Sequence, residues 1–373
     1  MNSSLYSHIF RHIQVAILLV GAIAGGKNLW GGELRKFAFS EVHMGVPLNI
    51  SVYVDNEAAA NKGAAAAFAR VAEIDQQLSD YKIDSELNQL SLDKPHNIAY
   101  PVSDDLFHVL RIGEEVSRES EGAFDVTVGP VVKLWRKASR QKELPDQAEL
   151  QERRATVDYR AIHIDEKKQT VNLTLPGMRL DLGGIAKGYA ADEALEVLNA
   201  HGMTRVLLDF GGDIVVGDPP PGKTAWTIAV APLKTESGEE QYQYVDLKNG
   251  SIATSGDAYQ FVEIAGVRYS HIVDPRTGVG LTDRSSVTII APNGTLADAW
   301  ASAVSVLGPA KGLEKVNERS ELEAFIITEK TTVASDGWHE YLHAADSSPT
   351  SERSSSAEQQ LDKNPPEKND HDR

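Results

Sequence analysis

From residue 34 to about residue 343 the apolar positions switch repeatedly between two periods. "ISVYV" (50–54) alternates every second residue and predicts a strand. "AAANKGAAAAFARVAEIDQQLSDY" (58–81) has helical spacing and predicts a long alanine-rich helix. Ser103 and Asp104 offer caps for a further helix running to about Ser120. Short strands are predicted at 161–164 and 170–173, the segment 178–180 reads as a strand end, and a helix is predicted over 184–201. "RVLLDF" and "DIVVG" make two strands on either side of Gly211-Gly212. A mainly β region reaches Ala291, a last helix spans 296–317, and "EAFIITEK" with "TTVAS" closes the pattern as a strand pair. There is no regular βαβ alternation and no repeat, so the predicted class is α+β, in one domain over 34–343.

The ends of the chain read differently. Arg11 precedes a short apolar run, "VAILLVGAIAGG", and Ala22-Ile23-Ala24 offers small residues at the spacing of a signal-peptidase site. Residues 1–26 are therefore expected to be a signal peptide or a short amino-terminal anchor, which places the protein outside the cytoplasm, in the periplasm or cell envelope. Residues 345–373 contain almost no apolar side chains and are expected to form a disordered acidic tail.

Composition narrows the chemistry. The 373-residue chain carries a formal net charge of −17, which argues against a nucleic-acid partner. It has no cysteine, and that excludes disulfides, thiolate metal sites, cysteine nucleophiles and a lipidated amino-terminal cysteine.

Several short motifs carry candidate chemistry. "DLGGIAKGYAAD" begins at Asp181 and puts two glycines and Lys187 where extended chain becomes helix. It reads either as a tight turn or as an anion cradle, with the helix dipole and Lys187 supplying positive charge. In "ADAWASAVSVLG", Asp298 and Ser302 are four apart and share a helix face; both are hard oxygen ligands suited to Mg²⁺, or an early-turn acid beside an incidental serine. "YSHIVDPRTG" delivers His271 at a strand end before a turn at Asp274-Pro275, where it can act as a general base or as hydrogen-bonded structure. "GAFDVTVGP" has a strand rhythm, with Phe124, Val126 and Val128 on one face and Asp125 and Thr127 on the other. Tyr81, in "SDYKIDSELNQL", is placed either in the core or stacked on an aromatic ligand, and "HMGVP" sets Met44 in a short bend.

Taken in order, "HMG", "SDYKIDSELNQL", "GAFDVTVGPVVKLW", "DLGGIAKGYAAD", "DFGGDIVVG", "ATSGD", "HIVDPRTG" and "ADAWASAVSVLG" resemble the ApbE flavin-transferase family, the FAD:protein FMN transferases, over residues 37–338. The resemblance implies a T-fold-like α+β domain and a Mg²⁺-dependent enzyme. Such an enzyme cleaves FAD and attaches FMN by a phosphoester bond to a threonine of an acceptor protein, for example a flavin-carrying subunit of a membrane redox pump, releasing AMP. It places FAD contacts at Met44, Tyr81, Ala123, Phe124, Asp125, Asp181, Lys187 and Val273. It places the metal at Asp298, Ser302 and the main-chain carbonyl of Gly184, and catalysis at His271. Three features depart from the family pattern: Ser302 stands where many members have threonine, Ala301 where some have a second aspartate, and no cysteine is available for the lipidation common among members. A Mg²⁺-dependent FAD pyrophosphatase and a non-catalytic exported flavin-binding protein are the alternative readings.

Overall fold

The computed structural model describes residues 33–230, 232–233, 242–256 and 260–344; the leader expected over 1–26 and the tail expected over 345–373 lie outside them. The chain opens with a hairpin of β1 (Arg35–His43) and β2 (Val46–Val54), paired in register from Arg35↔Val54 to His43↔Val46. Its two-residue turn needs positive φ twice, which Met44 (φ 47°) and Gly45 (φ 81°) adopt. Then come α1 (Glu57–Leu78), the single turn α2 (Glu86–Asn88), β3 (Ala99–Pro101) and α3 (Asp104–Glu119). The Ser103 hydroxyl accepts from Leu106 N–H and caps α3, as its sequence predicts. Next are α4 (Gly129–Gln141), α5 (Gln147–Arg154), β4 (Ile162–Asp165), β5 (Thr170–Leu173) and α6 (Ala186–Ala200). The strands β6 (Val206–Phe210), β7 (Asp213–Val216), β8 (Trp226–Val230), β9 (Gln243–Leu247) and β10 (Gly250–Gly256) follow. The chain continues through β11 (Phe261–Ile264), β12 (Val267–Ser270), β13 (Ser285–Ala291), α7 (Gly294–Asn317), β14 (Glu323–Thr328) and β15 (Thr332–Ala334).

Eight strands form one antiparallel sheet in the order β1-β2-β6-β7-β10-β13-β14-β15, and smaller sheets are β3-β5-β4, β8-β9 and β11-β12. The α+β class is as the sequence predicts. The central strands are apolar nearly throughout because both of their faces are covered. Val206, Leu208 and Phe210 of β6 face the helical core with α1, α6 and α7, whereas Leu207 faces a second core shared with β8, β9 and Trp338. A third cluster joins α4 and α5 to the β11–β12 hairpin through Trp135, Leu150, Ile264 and Val273.

Close helix packing depends on small residues. The alanines of α1 face α6, where Ala190, Ala191 and Ala194 are fully buried. A side chain at Gly188 would overlap the Gly294 carbonyl, so α6 and the start of α7 cross almost backbone to backbone. Asp192 secures that crossing: its carboxylate accepts from Gly294 N–H (2.6 Å), Thr295 N–H (2.8 Å) and the Thr295 hydroxyl (2.6 Å).

The structure corrects three sequence expectations. "GAFDVTVGP" is not a ladder strand. Asp125 Oδ1 accepts from Thr127 N–H (2.8 Å) and the Thr127 hydroxyl (2.7 Å), a local turn that competes with strand pairing, and Val128 makes one isolated parallel bridge to Arg179. That bridge is also all the pairing of 178–180, which is not a strand end. The helix expected over 296–317 is broken, because Gly308 (φ 76°) leaves helical space and Pro309 lacks the N–H to continue it.

Candidate active site

One end of the large sheet collects the chemistry. The Met44-Gly45 turn lies beside the β6–β7 turn, since Leu48 pairs with Phe210 and a side chain at Gly211 would come within 3.0 Å of Val46. Asp213, the first residue of β7, is 4 % exposed and pairs with the Lys187 ammonium in the first turn of α6. Asp298 of α7 arrives from the other side, with Oδ1 3.8 Å from Lys187 Nζ.

The double glycine of "DLGGIAKGYAAD" bears out the tight-turn reading of the sequence. It makes the tight turn into α6, and no side chain caps that helix from its own N-cap position. The N-terminus instead receives a carboxylate from across the fold: Asp298 Oδ2 accepts from Gly188 N–H at 3.2 Å. The acceptor at this helix end is thus the Asp298 carboxyl group, reached by Gly188 rather than by the paired glycines. Burial and the neighbouring Asp213 push the Asp298 carboxyl well above the ordinary carboxylate range, opposed by Lys187. Burial pulls Lys187 down, but Asp213 and Asp298 outweigh it and hold the ammonium above its ordinary value.

Gly184 and Ser302 sit together. A Cβ on Gly184 would lie 2.8 Å from Ser302 Oγ and 3.3 Å from the Phe124 ring, so only glycine lets the main chain approach this hydroxyl. A buried carboxylate, a hydroxyl and a nearby peptide carbonyl form a hard-oxygen set that fits Mg²⁺, which keeps further positions for water or phosphate. The described residues hold no group of three or more His, Cys, Asp and Glu side chains disposed around a metal.

His271 follows β12, as the sequence predicts, and is exposed. Its Nδ1 lies 3.1 Å from the Gln260 carbonyl, which accepts the Nδ1 proton and leaves Nε2 as the basic nitrogen of the neutral ring. What desolvation the ring undergoes lowers its pKa, and the Lys187 ammonium lowers it further, against the Gln260 bond.

The remaining residues form a second group around the same turn. Asp181 Oδ1 accepts from Gly183 N–H (2.9 Å) and Oδ2 from Arg136 (3.1 Å). Burial and Asp80 raise its pKa, and Arg136 opposes them. Tyr81 is not a core residue: it is 78 % exposed, with the Arg136 guanidinium 4.5 Å from its ring centre. Its loop is built from polar groups that hydrogen-bond the backbone, so the ring is not needed for packing. Asp125 is buried, and its second oxygen accepts from Tyr159 N–H (3.1 Å), so its carboxylate braces the loop that presents Ala123 and Phe124. Val273 is buried in the third core and pairs with Gly280. Sequence reasoning missed Asp213, Asp80 and Arg136. Only Asp213 had a visible signal, as the acid closing "DFGGD" directly after the glycine turn.

Comparison with known proteins identifies the family. The ApbE family model matches residues 44–326. An FAD:protein FMN transferase of Treponema pallidum is 32 % identical over 342 residues, covering 87 % of this chain and 92 % of that protein. One from Klebsiella pneumoniae is 30 % identical over 306 residues, covering 80 % and 91 %. The solved flavin transferase ApbE from Vibrio cholerae superposes with a TM-score of 0.74 at 27 % identity, covering 83 % of this chain and all of that one. The ApbE protein of Thermotoga maritima gives the same TM-score, identity and coverage. With the family model matched across the helical core, the sheet and both halves of the site, this chain belongs to the ApbE family.

Proposed function

We propose that the protein is an FAD:protein FMN transferase. It cleaves the pyrophosphate of FAD, joins the FMN phosphorus to a threonine hydroxyl of an acceptor protein, and releases AMP. The observation that carries this reading is the meeting of Lys187, Asp213 and Asp298 beside the close approach of Gly184 to Ser302, in a chain whose relatives bear that name over most of their length.

The residues divide the work. His271 Nε2 takes the proton of the threonine hydroxyl as its oxygen attacks the FMN phosphorus. The bond from that phosphorus to the bridging oxygen breaks, and AMP departs with the oxygen and its electron pair. Lys187, held by Asp213, sets a fixed positive charge beside the pyrophosphate. Asp298, Ser302 and the Gly184 carbonyl would hold Mg²⁺, which when bound would supply neutralisation of the pyrophosphate charge. Asp181 and Tyr81 orient the dinucleotide by hydrogen bonding and stacking, while the braced loop at Asp125 presents Ala123 and Phe124 to it. Met44 and Val273 complete the contacts.

The test is intact mass of a threonine-bearing acceptor after incubation with the protein, FAD and Mg²⁺. Gain of FMN on the acceptor supports transfer. Free FMN with AMP would make the protein a hydrolase, and unchanged FAD a binder. The acceptor we favour is a flavin-carrying subunit of a membrane redox pump, reached by export through the leader over 1–26. Amino-terminal sequencing of the protein from its native host tests the export step; a cytoplasmic chain that keeps Met1 would overturn it.

A further inference from the structure

Arg136 takes no part in the phosphate and metal chemistry, yet it bridges three groups at the site. It lies on α4 next to Trp135, whose indole N–H donates to the Ser270 carbonyl (3.1 Å) and so fixes this helix against the strand that leads to His271. One arm of its guanidinium meets Asp80 and the other meets Asp181 Oδ2 at 3.1 Å. Both carboxylates are more than nine-tenths buried, with side-chain exposures of 8 % and 6 %. The same guanidinium stacks 4.5 Å from the centre of the Tyr81 ring.

The loop bearing Asp80 and Tyr81 is braced from within. The buried side-chain amide of Asn88 donates to the carbonyls of Lys82 (2.8 Å), Asp80 (3.1 Å) and Ser79 (3.4 Å). An exposed tyrosine on such a scaffold has its position fixed by polar groups rather than by burial. Two buried carboxylates facing one another would repel, and the cation between them removes that cost. A planar fork can also bridge two acids while lying against a ring, which an ammonium cannot do.

We propose that Arg136 is a positioning residue for the flavin dinucleotide. By tying Tyr81 to Asp181, it sets the spacing between a stacking ring and a hydrogen-bonding carboxylate before FAD arrives. The proposal rests on the transferase reading, because both groups it aligns are FAD contacts there. Pre-setting the pair removes part of the ordering cost of binding, and that benefit appears in FAD affinity rather than in the chemical step.

The experiment compares the full chain with Arg136→Met, Arg136→Lys, Tyr81→Leu and the Arg136→Met/Tyr81→Leu double variant. It measures FAD Kd by titration calorimetry, KM and kcat for FMN transfer, and melting temperature. For Arg136→Met, Kd and KM for FAD should rise about tenfold or more, with kcat at saturating FAD within about threefold of wild type. Arg136→Lys should recover only part of the affinity, since it restores charge without the bridge. In the Tyr81→Leu background, Arg136→Met should weaken FAD binding by a clearly smaller factor, because the ring it aligns is gone. Unchanged FAD affinity in Arg136→Met overturns the proposal. So does full recovery by lysine, or equal effects of Arg136→Met in both backgrounds. If wild type binds FAD but forms no FMN adduct, the transferase reading fails, while the Kd comparison still decides the role of Arg136.

Discussion

His271 has the geometry of a base before any substrate is present. The Gln260 carbonyl fixes its tautomer, and desolvation with the Lys187 ammonium favours the neutral ring. The active form is the unprotonated one, so the transfer rate should rise with pH along a limb whose midpoint lies below the ordinary histidine value of 6.5, then level off. His271→Ala should lose that limb and fall by roughly two to four orders of magnitude in transfer, with FAD affinity retained. A pH–rate profile with FAD titrations on both proteins checks this; a loss explained wholly by weaker FAD binding would remove His271 from the chemistry. At the proposed metal position, Asp298→Ala should nearly abolish Mg²⁺-dependent transfer, because it deletes the one charged ligand of the proposed set, whereas Ser302→Thr keeps the hydroxyl and should stay active. Mg²⁺ titrations of turnover decide between them. That Asp298 and Ser302 share one helix was legible in the sequence because their spacing is local, four residues apart. The Lys187–Asp213 and Arg136–Asp181 pairs were not, because they span 26 and 45 residues and depend on how separate elements pack.

At the scale of elements, what the sequence shows best is periodicity, and what it hides is competition. The strands β6 and β7, α1 and α3 follow directly from spacing and caps. The segment 122–130 has the same alternation as a strand, but Asp125 spends its carboxylate on its own backbone, and the resulting turn presents Phe124 beside Gly184. The α6–α7 crossing is equally hidden, since neither Gly188 nor Gly294 signals from sequence alone that it faces the other's backbone. That crossing carries a functional consequence, because the Gly188 N–H also holds Asp298. Gly188→Ala should therefore destabilise the fold by about 1–3 kcal/mol through overpacking and cut transfer by more than its melting temperature implies. Assaying FMN transfer well below the melting transition tests this. Wild-type activity in a folded Gly188→Ala protein would show that the close crossing is not needed to place Asp298.

At the scale of the whole molecule, one end of the sheet carries the site, and the three cores draw their buried residues from Leu48 to Trp338. The last described segment is not an appendage. Trp338 is 2 % exposed and stacks on Phe325 with ring centres 5.3 Å apart, closing the core on the sheet face away from the helices. His343 N–H donates to the Tyr244 carbonyl (2.9 Å), and His343 Nδ1 lies 2.9 Å from Asp246, tying the segment to β9. A chain cut to 33–344 keeps every one of these contacts, so it should melt within a few degrees of the full chain and transfer FMN at the same rate. A cut after Ala334 removes Trp338 from a filled core, and a loss of that size costs roughly 3–5 kcal/mol. That shorter chain should melt far lower or aggregate. Thermal melts and FMN transfer measured on both truncations decide the matter: a large loss in the 33–344 chain would mean that residues beyond it dock on the folded domain, and a stable chain ending at Ala334 would mean that the second core holds without Trp338.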